Sequence, residues 1–309
     1  MSGTRIDEGA IAAPRQLGHD VEVGAYALVE PGALVGPRTR IGAHATIGPR
    51  ARIGADVVVG NATAVDGLTI VEDGAAIGAR ACVGCAATPS GNTTTVVRAG
   101  AVVGAGAVLV AGVEVGSGAV VADGAVVTRS VPRSAVVAGN PAHITGYVSG
   151  DGGEPLEPVR SAPHDDRPSI RETSVRGVQI HRLPLARDMR GALVAGELDD
   201  RLPFVARRYF VVFDVPSSEV RGEHAHRTCH QFLVCIHGRV HVIADDGTHR
   251  EEIVLDDNRT GVYLPPMTWG TQYRYSADCS LLVLASHPYD PDDYIRDYDA
   301  FLAAVADAS

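Results

Sequence analysis

An aliphatic residue recurs at every sixth position over much of the first half of this chain. Between residues 29 and 83 one phase is held without interruption, and most of its members are followed by glycine. Those members are Val29, Val35, Ile41, Ile47, Ile53, Val59, Val65, Val71, Ile77 and Val83. A six-residue period does not fit the 3.6-residue period of an amphipathic helix, and frequent glycine disfavours a helix further. The pattern predicts a β-solenoid with triangular coils of about 18 residues, in which aliphatic side chains point inward and small residues form the corners.

The repeat is interrupted once and then resumes in a new phase. Val83 and the next member, Val97, are 14 positions apart, which is not a multiple of six, and the segment 84–95 is polar and rich in turn-forming residues. We therefore expect this segment to loop out of the solenoid, and functional residues favour loops that a rigid scaffold holds. The resumed repeat consists of Val97, Val103, Leu109, Val115, Val121 and Val127.

The second half of the chain lacks the six-residue repeat. Residues 149–168 are rich in Gly, Pro and acidic residues, which indicates a linker between domains. From about residue 169, short apolar runs alternate with turn signals, as expected for the strands of a jelly-roll sandwich or barrel. Residues 292–308 have apolar positions at helical spacing and open with acidic residues, which predicts a terminal helix. We therefore predict a solenoid domain at 20–148, a linker at 149–168 and a second β domain at 169–309.

The composition excludes several classes of function. All 27 basic residues are arginine, so no lysine is present to form a Schiff base, anchor pyridoxal phosphate or complete a P-loop. A formal net charge of −10 without a basic stripe disfavours a nucleic-acid partner. No apolar run approaches the roughly 18 residues that a membrane span needs, and we recognise no signal peptide.

The five cysteines show no framework spacing, which indicates a reducing compartment, and we expect a cytoplasmic protein. Cys82 and Cys85 form a CxxC pair. A structural zinc site would need a second pair, which the sequence lacks. We therefore expect these two cysteines to be small filler side chains.

Three histidines lie within the seven residues "HAHRTCH". His224 and His226 are two apart on a predicted strand, so they share one face and, if that face points inward, one cavity. The direction of His230 stays open. Metal-binding members of the cupin superfamily, which this HxH pattern resembles, usually add a Glu and a later His, but Gln231 stands at the Glu position and the later segment has no His. We therefore predict that no metal binds, and that the two imidazoles transfer protons near neutral pH.

The hexapeptide pattern and the closing segment 126–148 resemble the left-handed β-helix acyltransferases. The resemblance covers residues 20–148, and the "GNPA" segment is among its more specific features. It implies a trimer that binds acetyl-CoA in the groove between neighbouring solenoids. The cofactor-binding residues that it implies are Gly139, Asn140 and Pro141.

Two interpretations of the solenoid stay open. Many acyltransferases of this kind use a histidine as general base near the looped coil, but this chain has no histidine between His44 and His143. A base is not needed if the acceptor amine arrives uncharged. The solenoid is therefore either an N-acetyltransferase or a platform for trimerisation without chemistry of its own.

The second half resembles the sugar-nucleotide 3,4-ketoisomerases of the cupin superfamily. The match runs from Leu202 to Phe301 and is carried by "RGEHAHRTCHQFLV", "GVYLPPMTW" and "YDPDDYIRDY". It implies conversion of dTDP-4-keto-6-deoxyglucose into a 3-keto sugar through an enediol, with no cofactor. The fold class is then mainly β, an N-terminal left-handed parallel β-helix plus a C-terminal cupin jelly-roll barrel with a terminal helix.

The same resemblance implies the residues of the isomerase site. His224 and His226 are the acid–base pair, and Arg221 steadies the enediolate or the diphosphate. The residues expected to bind substrate are Arg208, Gln231, Tyr263 and Trp269. A sugar-nucleotide binding protein without activity and a metal-dependent cupin oxygenase stay as alternatives.

A solenoid fused to such an isomerase resembles bifunctional proteins that isomerise the sugar and N-acetylate the 3-amino sugar derived from it. The second substrate would be a dTDP-3-amino sugar. Solenoid trimers and cupin dimers together imply a homo-oligomer, and six is the smallest closed number that both symmetries share.

Overall fold

The computed structural model describes residues 3–85, 93–149, 156–160, 167–196, 202, 204–217 and 219–307. The chain divides into two compact units, residues 1–155 and residues 156–309. Among the described residues, no helix is long and apolar enough to cross a membrane.

The first unit is built from short strands. In chain order they are β1 (Arg5–Ile6), β2 (Glu22–Val23), β3 (Leu28–Val29), β4 (Leu34–Val35), β5 (Arg40–Ile41), β6 (Thr46–Ile47), β7 (Arg52–Ile53), β8 (Val58–Val59), β9 (Ala64–Val65), β10 (Thr69–Val71), β11 (Ala76–Ile77), β12 (Cys82–Cys85), β13 (Thr95–Val97), β14 (Val102–Val103), β15 (Val108–Val110), β16 (Glu114–Val115), β17 (Val120–Val121), β18 (Val126–Val127), β19 (Ala135–Gly139) and β20 (Ala142–Tyr147).

These strands stack into three parallel sheets, one for each side of a triangular coil. The sheet orders are β1-β2-β5-β8-β11-β14-β17-β19-β20, β16-β13-β10-β7-β4 and β18-β15-β12-β9-β6-β3, and only the closing hairpin β19–β20 is antiparallel. The repeating aliphatic residues are buried, as Ile41, Ile47 and Ile77 illustrate. The predicted solenoid is confirmed and is consistent with a left-handed β-helix. Its first strand begins at Arg5, earlier than the expected start at residue 20, because β1 pairs in parallel with β2. The six-residue spacing also continues before Val29 through Val23, Leu17 and Ile11, and Ile11 and Leu17 form parallel bridges to the next coil.

The glycine that follows the aliphatic residue is explained by the distance between coils. At Gly42, an added Cβ atom would lie 2.6 Å from the backbone nitrogen of Asn61, one coil further along. At Gly48 the same atom would lie 2.6 Å from the nitrogen of Gly67. A side chain at these corners would therefore push neighbouring coils apart.

The expected loop at 84–95 lies mostly outside the described residues. At its near end the sulfur atoms of Cys82 and Cys85 are joined as a disulfide. The expectation that this pair supplies only small filler side chains is therefore wrong. The pairing of β12 with β15 shifts register between Val83 and Cys85, so the strand is irregular at the second cysteine.

The second unit is also built from strands and ends in a helix. In chain order its elements are β21 (Ser169–Glu172), β22 (Gln179–Arg182), β23 (Leu185–Asp188), β24 (Gly191–Val194), β25 (Arg208–Phe213), β26 (Arg221–His226), β27 (Gln231–His237), β28 (Val240–Asp245), β29 (Arg250–Leu255), β30 (Thr260–Leu264), β31 (Trp269–Tyr273), β32 (Ser280–Ala285), a 3₁₀ turn (Pro291–Asp293), β33 (Tyr294–Ile295) and α1 (Tyr298–Asp307).

Two antiparallel sheets enclose the core of the second unit. We refer to β21-β22-β30-β27-β32-β25 as the first sheet and to β29-β28-β31-β26-β33 as the second sheet. Inward-facing residues from both sheets form one apolar cluster, which includes Leu233, Val242 and Val262. On the outer face of the second sheet, Phe301 of α1 packs against Trp269. The cupin-like barrel with a terminal helix is thus confirmed.

Part of the predicted linker belongs to this barrel. Most of residues 149–168 lie outside the described residues, but Val159 forms a parallel bridge with Ile253 of β29. Its backbone nitrogen donates to the carbonyl oxygen of Glu252 at 2.8 Å, and its carbonyl oxygen accepts from Val254 at 3.0 Å. Val159 therefore adds a single parallel bridge to the edge of the second sheet.

Candidate active site

His224 and His226 lie on the inner side of the second sheet, near the end of β26. Their ring centroids are 5.0 Å apart and the rings meet edge to face. The strand reaches this arrangement through an irregularity, because Gly222 and Glu223 both have positive φ and the pairing with β31 shifts between Gly222 and His224. The structure thus brings together the two histidines that the HxH spacing placed on one face.

Hydrogen bonds fix the orientation of His226. Its Nδ1 lies 2.8 Å from Oδ2 of Asp293, and its Nε2 lies 3.1 Å from the amide nitrogen of Gln231. The other carboxylate oxygen of Asp293 accepts from the backbone nitrogen and the hydroxyl group of Thr228, each at 2.7 Å. An ionised carboxylate only accepts and the Gln231 amide nitrogen only donates, so His226 carries its proton on Nδ1 and a lone pair on Nε2.

His224 has the same tautomer for another reason. Its Nδ1 lies 2.8 Å from the carbonyl oxygen of Gly222, which can only accept. Its Nε2 therefore also carries a lone pair. Both imidazoles in their neutral form can take up a proton at Nε2.

Burial keeps both imidazoles neutral at pH 7. It lowers the pKa of His224 to about 4, while the hydrogen bond to Gly222 opposes the shift and the charges of His226 and Arg296 add to it. The pKa of His226 is also lowered by burial, but the hydrogen bond and charge of Asp293 oppose that effect. Burial raises the pKa of Asp293, yet hydrogen bonds from Thr228 and His226 outweigh it and lower the pKa overall, so the carboxylate is ionised.

Two residues of "DYIR" complete the surroundings of the histidines. The ring of Tyr294 lies 4.8 Å from the His224 ring and 4.3 Å from the His226 ring, between centroids. The guanidinium carbon of Arg296 lies 4.3 Å from the centroid of the Tyr294 ring. We did not predict roles for Asp293, Tyr294 or Arg296, although all three lie in the "YDPDDYIRDY" segment that carried the resemblance.

Arg208 and Gln231 lie where the sequence placed them, beside the histidines. Arg208 pairs in register with Ala285, and Ala285 pairs with Gln231, so these side chains form one row on the inner face of the first sheet. The charge of Arg208 lowers the pKa of His226. The Nε atom of Arg208 is buried without a hydrogen-bond partner.

Three other predicted site residues lie elsewhere. Arg221 is exposed, and its charge acts on Tyr275 instead of on either histidine. Tyr263 belongs to the apolar cluster on the outer face of the first sheet, and Trp269 packs against α1 on the outer face of the second. All three therefore lie away from the histidine cavity. For Tyr263 and Trp269 the reason is that neighbouring residues of a strand face opposite sides, so Leu264 and Gly270 line the cavity instead.

The third histidine also faces away from the pair. Nδ1 of His230 lies 2.7 Å from the hydroxyl oxygen of Tyr263, and the two rings stack with centroids 5.9 Å apart. Phe204 stacks on both rings. His230 therefore belongs to an aromatic cluster on the outer face of the first sheet.

The cavity between the two sheets at this point is small. Its volume is about 10 Å³, which is the space of roughly one water molecule. A cavity of this volume is too small to enclose a hexose ring. The residues that line it are His224, His226, Cys229, Gln231, Leu264, Pro265, Thr268, Gly270 and Gln272.

A much larger cavity, of about 980 Å³, lies on the other side of the first sheet. Phe232, Val234 and Leu284 form its floor, and the hairpin β23–β24 supplies Leu193 and Val194. Neither catalytic candidate lines this cavity. Its lining is mostly apolar and includes His181 and Arg182, but the described residues offer no second imidazole or carboxylate there to form a proton-transfer pair, so we place the chemistry at the smaller cavity.

One group of three side chains among the described residues could hold a metal ion. Ligand atoms of His226, Cys229 and Asp293 all lie within 4.8 Å of one another. This set includes neither Gln231 nor the later histidine position on which the expectation of no metal rests.

The predicted cofactor residues of the solenoid form the tip of its closing hairpin. Gly139 ends β19, and Asn140 and Pro141 connect it to β20, with all three exposed. Gly139 has a φ of 99°, which favours glycine.

The second unit is similar to known proteins. Residues 176–306 match the family model described as "FdtA: WxcM-like, C-terminal". The TDP-4-oxo-6-deoxy-alpha-D-glucose-3,4-oxoisomerase of Aneurinibacillus thermoaerophilus is 44% identical over 119 residues, which is 38% of this chain and 86% of that protein.

Solved structures give a similar result. A 3,4-ketoisomerase from Helicobacter canadensis is 32% identical, with a TM-score of 0.41, over 42% of this chain and 98% of that chain. The TDP-quinovose 3,4-ketoisomerase WlaRB from Campylobacter jejuni is 36% identical, with a TM-score of 0.41, over 42% of this chain and 99% of that chain. Both alignments cover well under half of this chain.

Proposed function

The chain belongs, through residues 176–306, to the FdtA/WxcM-like C-terminal family, and we propose that its second unit is a sugar-nucleotide 3,4-ketoisomerase that acts on dTDP-4-keto-6-deoxyglucose. The observation that carries this proposal is the pair of imidazoles at one cavity, with ring centroids 5.0 Å apart. The 44% identical relative is an oxoisomerase of TDP-4-oxo-6-deoxy-alpha-D-glucose, which supports the choice of substrate.

The proposed reaction moves the carbonyl group from C4 to C3 without a net change in composition. A base removes the proton of C3, the electrons of that C–H bond form a C3–C4 double bond, and O4 takes up a proton. The resulting enediol loses the proton of O3 and gains a proton at C4. The reaction therefore needs one group that exchanges a proton with carbon and one that exchanges protons with the two oxygens.

We assign the transfer of the proton to and from carbon to His226. The Nδ1 atom of this ring donates to Asp293, so Nε2 is the basic atom, and the carboxylate stabilises the imidazolium ion that forms. The Gln231 amide, which donates to Nε2 in the free protein, yields that position to the substrate. The same ring returns the proton at C4. Nε2 of His224 then exchanges protons between O3 and O4.

Arg208 and Arg296 supply positive charge for the anionic substrate. Both act on His226 through space, so both lie on its side of the barrel. A buried donor without a partner costs about 1–3 kcal/mol, and an oxygen atom of the enediolate or of the diphosphate would satisfy Nε of Arg208. This assignment gives Arg296 the role that the sequence had given to Arg221.

The direct test is incubation with dTDP-4-keto-6-deoxyglucose in deuterium oxide. We expect deuterium at C3 of recovered substrate and a 3-keto product, both measured by nuclear magnetic resonance. His226→Asn should abolish both signals, whereas His237→Asn should keep them because His237 is an exposed surface residue. A wild-type protein that gives neither a 3-keto product nor deuterium at C3 refutes the proposal.

For the first unit we propose acetyl-CoA-dependent N-acetylation of a dTDP-3-amino sugar. The confirmed solenoid and its exposed hairpin tip at Gly139, Asn140 and Pro141 support this proposal. Calorimetric titration with acetyl-CoA tests it, since a platform without chemistry gives no binding heat. Asn140→Ala should weaken binding, and His44→Ala, in an exposed position of the repeat, should leave it unchanged.

A further inference from the structure

His226, Cys229 and Asp293 bring three kinds of metal ligand to one buried point. An imidazole nitrogen, a thiol sulfur and a carboxylate oxygen lie within 4.8 Å of one another. The side chains of His226 and Asp293 are 7% and 10% exposed, and Cys229 is 4% exposed. The donors are therefore not a solvated surface cluster, where acidic groups gather without a metal.

The fold holds this set from two directions. His226 ends β26 and Cys229 follows three residues later, so both belong to one short turn of chain. Asp293 comes from the 3₁₀ turn, and Thr228 fixes one of its oxygens with two hydrogen bonds of 2.7 Å. The other oxygen stays directed at His226, at 2.8 Å, and at the backbone nitrogen of Cys229, at 3.3 Å.

The donor types select the ion. One nitrogen, one sulfur and one oxygen are the ligands that Zn²⁺ takes in proteins, at distances of about 2.0–2.3 Å. Three protein ligands leave a fourth tetrahedral position. The adjoining cavity of about 10 Å³, lined by both His226 and Cys229, has the space of one water molecule for that position.

We propose that His226, Cys229 and Asp293 form an inhibitory Zn²⁺ site. Binding releases the thiol proton of Cys229 and places the ion among the three side chains, where it replaces the hydrogen bond between His226 and Asp293. The binding itself does not depend on the ketoisomerase function, whereas the inhibition rests on it.

Zn²⁺ bound at either nitrogen of the His226 ring would inhibit the isomerase. If Zn²⁺ takes Nδ1 of His226, the ring proton moves to Nε2. If the ion takes Nε2, it occupies that atom directly. In both cases the lone pair that receives the C3 proton is lost, and the isomerase stops without any change in fold.

Co²⁺ titration of the full chain under reducing conditions tests the site. The titration uses the Cys82→Ser/Cys85→Ser background, because that pair offers other sulfur ligands. We expect about one Co²⁺ per chain with a thiolate-to-metal charge-transfer band in the near ultraviolet, which Zn²⁺ then removes by displacement. Cys229→Ser should remove the band and weaken binding by at least the roughly 10- to 100-fold that outer partners of a metal site contribute.

Cys235→Ser is the matched control, because Cys235 is another buried free cysteine and lies outside the group of three. It should keep the band, and circular dichroism should show that all variants are folded. A background protein without the band, or a band that survives in Cys229→Ser, overturns the proposal. Inhibition is measured separately as loss of deuterium exchange with Zn²⁺ and recovery with a chelator, so a protein that binds Co²⁺ but never isomerises refutes the proposed function and not the metal site.

Discussion

Asp293 sets how His226 titrates, because its carboxylate favours the protonated ring while burial disfavours it. Asp293→Asn keeps a hydrogen-bond partner and removes the charge. The pKa of His226 should then fall further, and the acid limb of the pH dependence of kcat/KM should move to lower pH. We also expect kcat to drop by about 10²-fold, since the imidazolium ion is less stable.

The control for this prediction is Asp292→Asn, which changes the exposed neighbour of Asp293. Its pH profile should match that of the wild type. A profile of Asp293→Asn with an unshifted acid limb would show that the carboxylate does not act on the base.

His224 should make the second unit less stable in acid. Its pKa is about 4 in the folded state against 6.5 for an exposed histidine, so below pH 6.5 the unfolded chain binds a proton that the folded chain does not. The free energy of unfolding should therefore fall as the pH decreases from about 6.5 to 4. One pKa unit corresponds to about 1.4 kcal/mol, which limits the loss to about 3 kcal/mol.

The measurement is urea unfolding of the second unit within the full chain, followed at pH 7 and pH 4.5. His224→Asn lacks the titrating ring, so its loss of stability between these two pH values should be smaller than that of the wild type. Equal losses in both proteins would contradict the prediction.

At the level of strands, the alternation of side chains between the two faces explains which site residues could be predicted. The HxH spacing fixes a shared face without knowledge of the partner strand, and the structure agrees for His224 and His226. For Tyr263 and Trp269 the sequence shows a strand but not which alternate set faces inward, since both sets are apolar in a barrel covered on its outer side. The inward set depends on register with neighbouring strands.

Distance along the chain explains why the role of Asp293 was not predicted from the sequence. Asp293 lies 67 residues from its partner His226, and β33 reaches β26 only because the 3₁₀ turn redirects the chain. A signal was present, because Asp290 accepts from the backbone nitrogen of Asp292 as an N-cap, which predicts a turn at this point. That signal places a turn but not the residue it faces.

The corner glycines of the solenoid give a prediction for the repeat. Gly42→Ala should destabilise the first unit by about 1–3 kcal/mol, because the added carbon would lie 2.6 Å from backbone atoms of the next coil. Gly146→Ala is the control, since an added carbon there meets nothing within 4 Å. Thermal unfolding of the two variants distinguishes coil spacing from a general effect of removing glycine, and equal transition temperatures would contradict the explanation.

At the level of the whole molecule, the solenoid could be predicted from the sequence because each coil repeats the same six-residue pattern. The same six-residue spacing extends back through Val23, Leu17 and Ile11 into the first coil, but it locates neither β1 nor the pairing of Val159 with the barrel. Those features depend on backbone pairing between distant segments, and no side-chain pattern marks them.

The association of chains is a further expectation at this scale. The outer face of β25 exposes Tyr209 and Phe213, at 71% and 59%, next to the half-exposed Val211. We predict that this face joins two barrels and that solenoids join in threes, which gives a hexamer of six 32.2 kDa chains. The double variant Val211→Asp/Phe213→Asp should reduce the mass in light scattering to that of a trimer. A hexamer that survives this change would place the barrel contact elsewhere.

The pairing of β33 with β26 joins two strands that a ribosome synthesises at different times. His226 is synthesised well before the Asp293 carboxylate that orients it, since the two residues are 67 positions apart in the chain. A nascent polypeptide can thus close its barrel while its base still lacks a counter-ion.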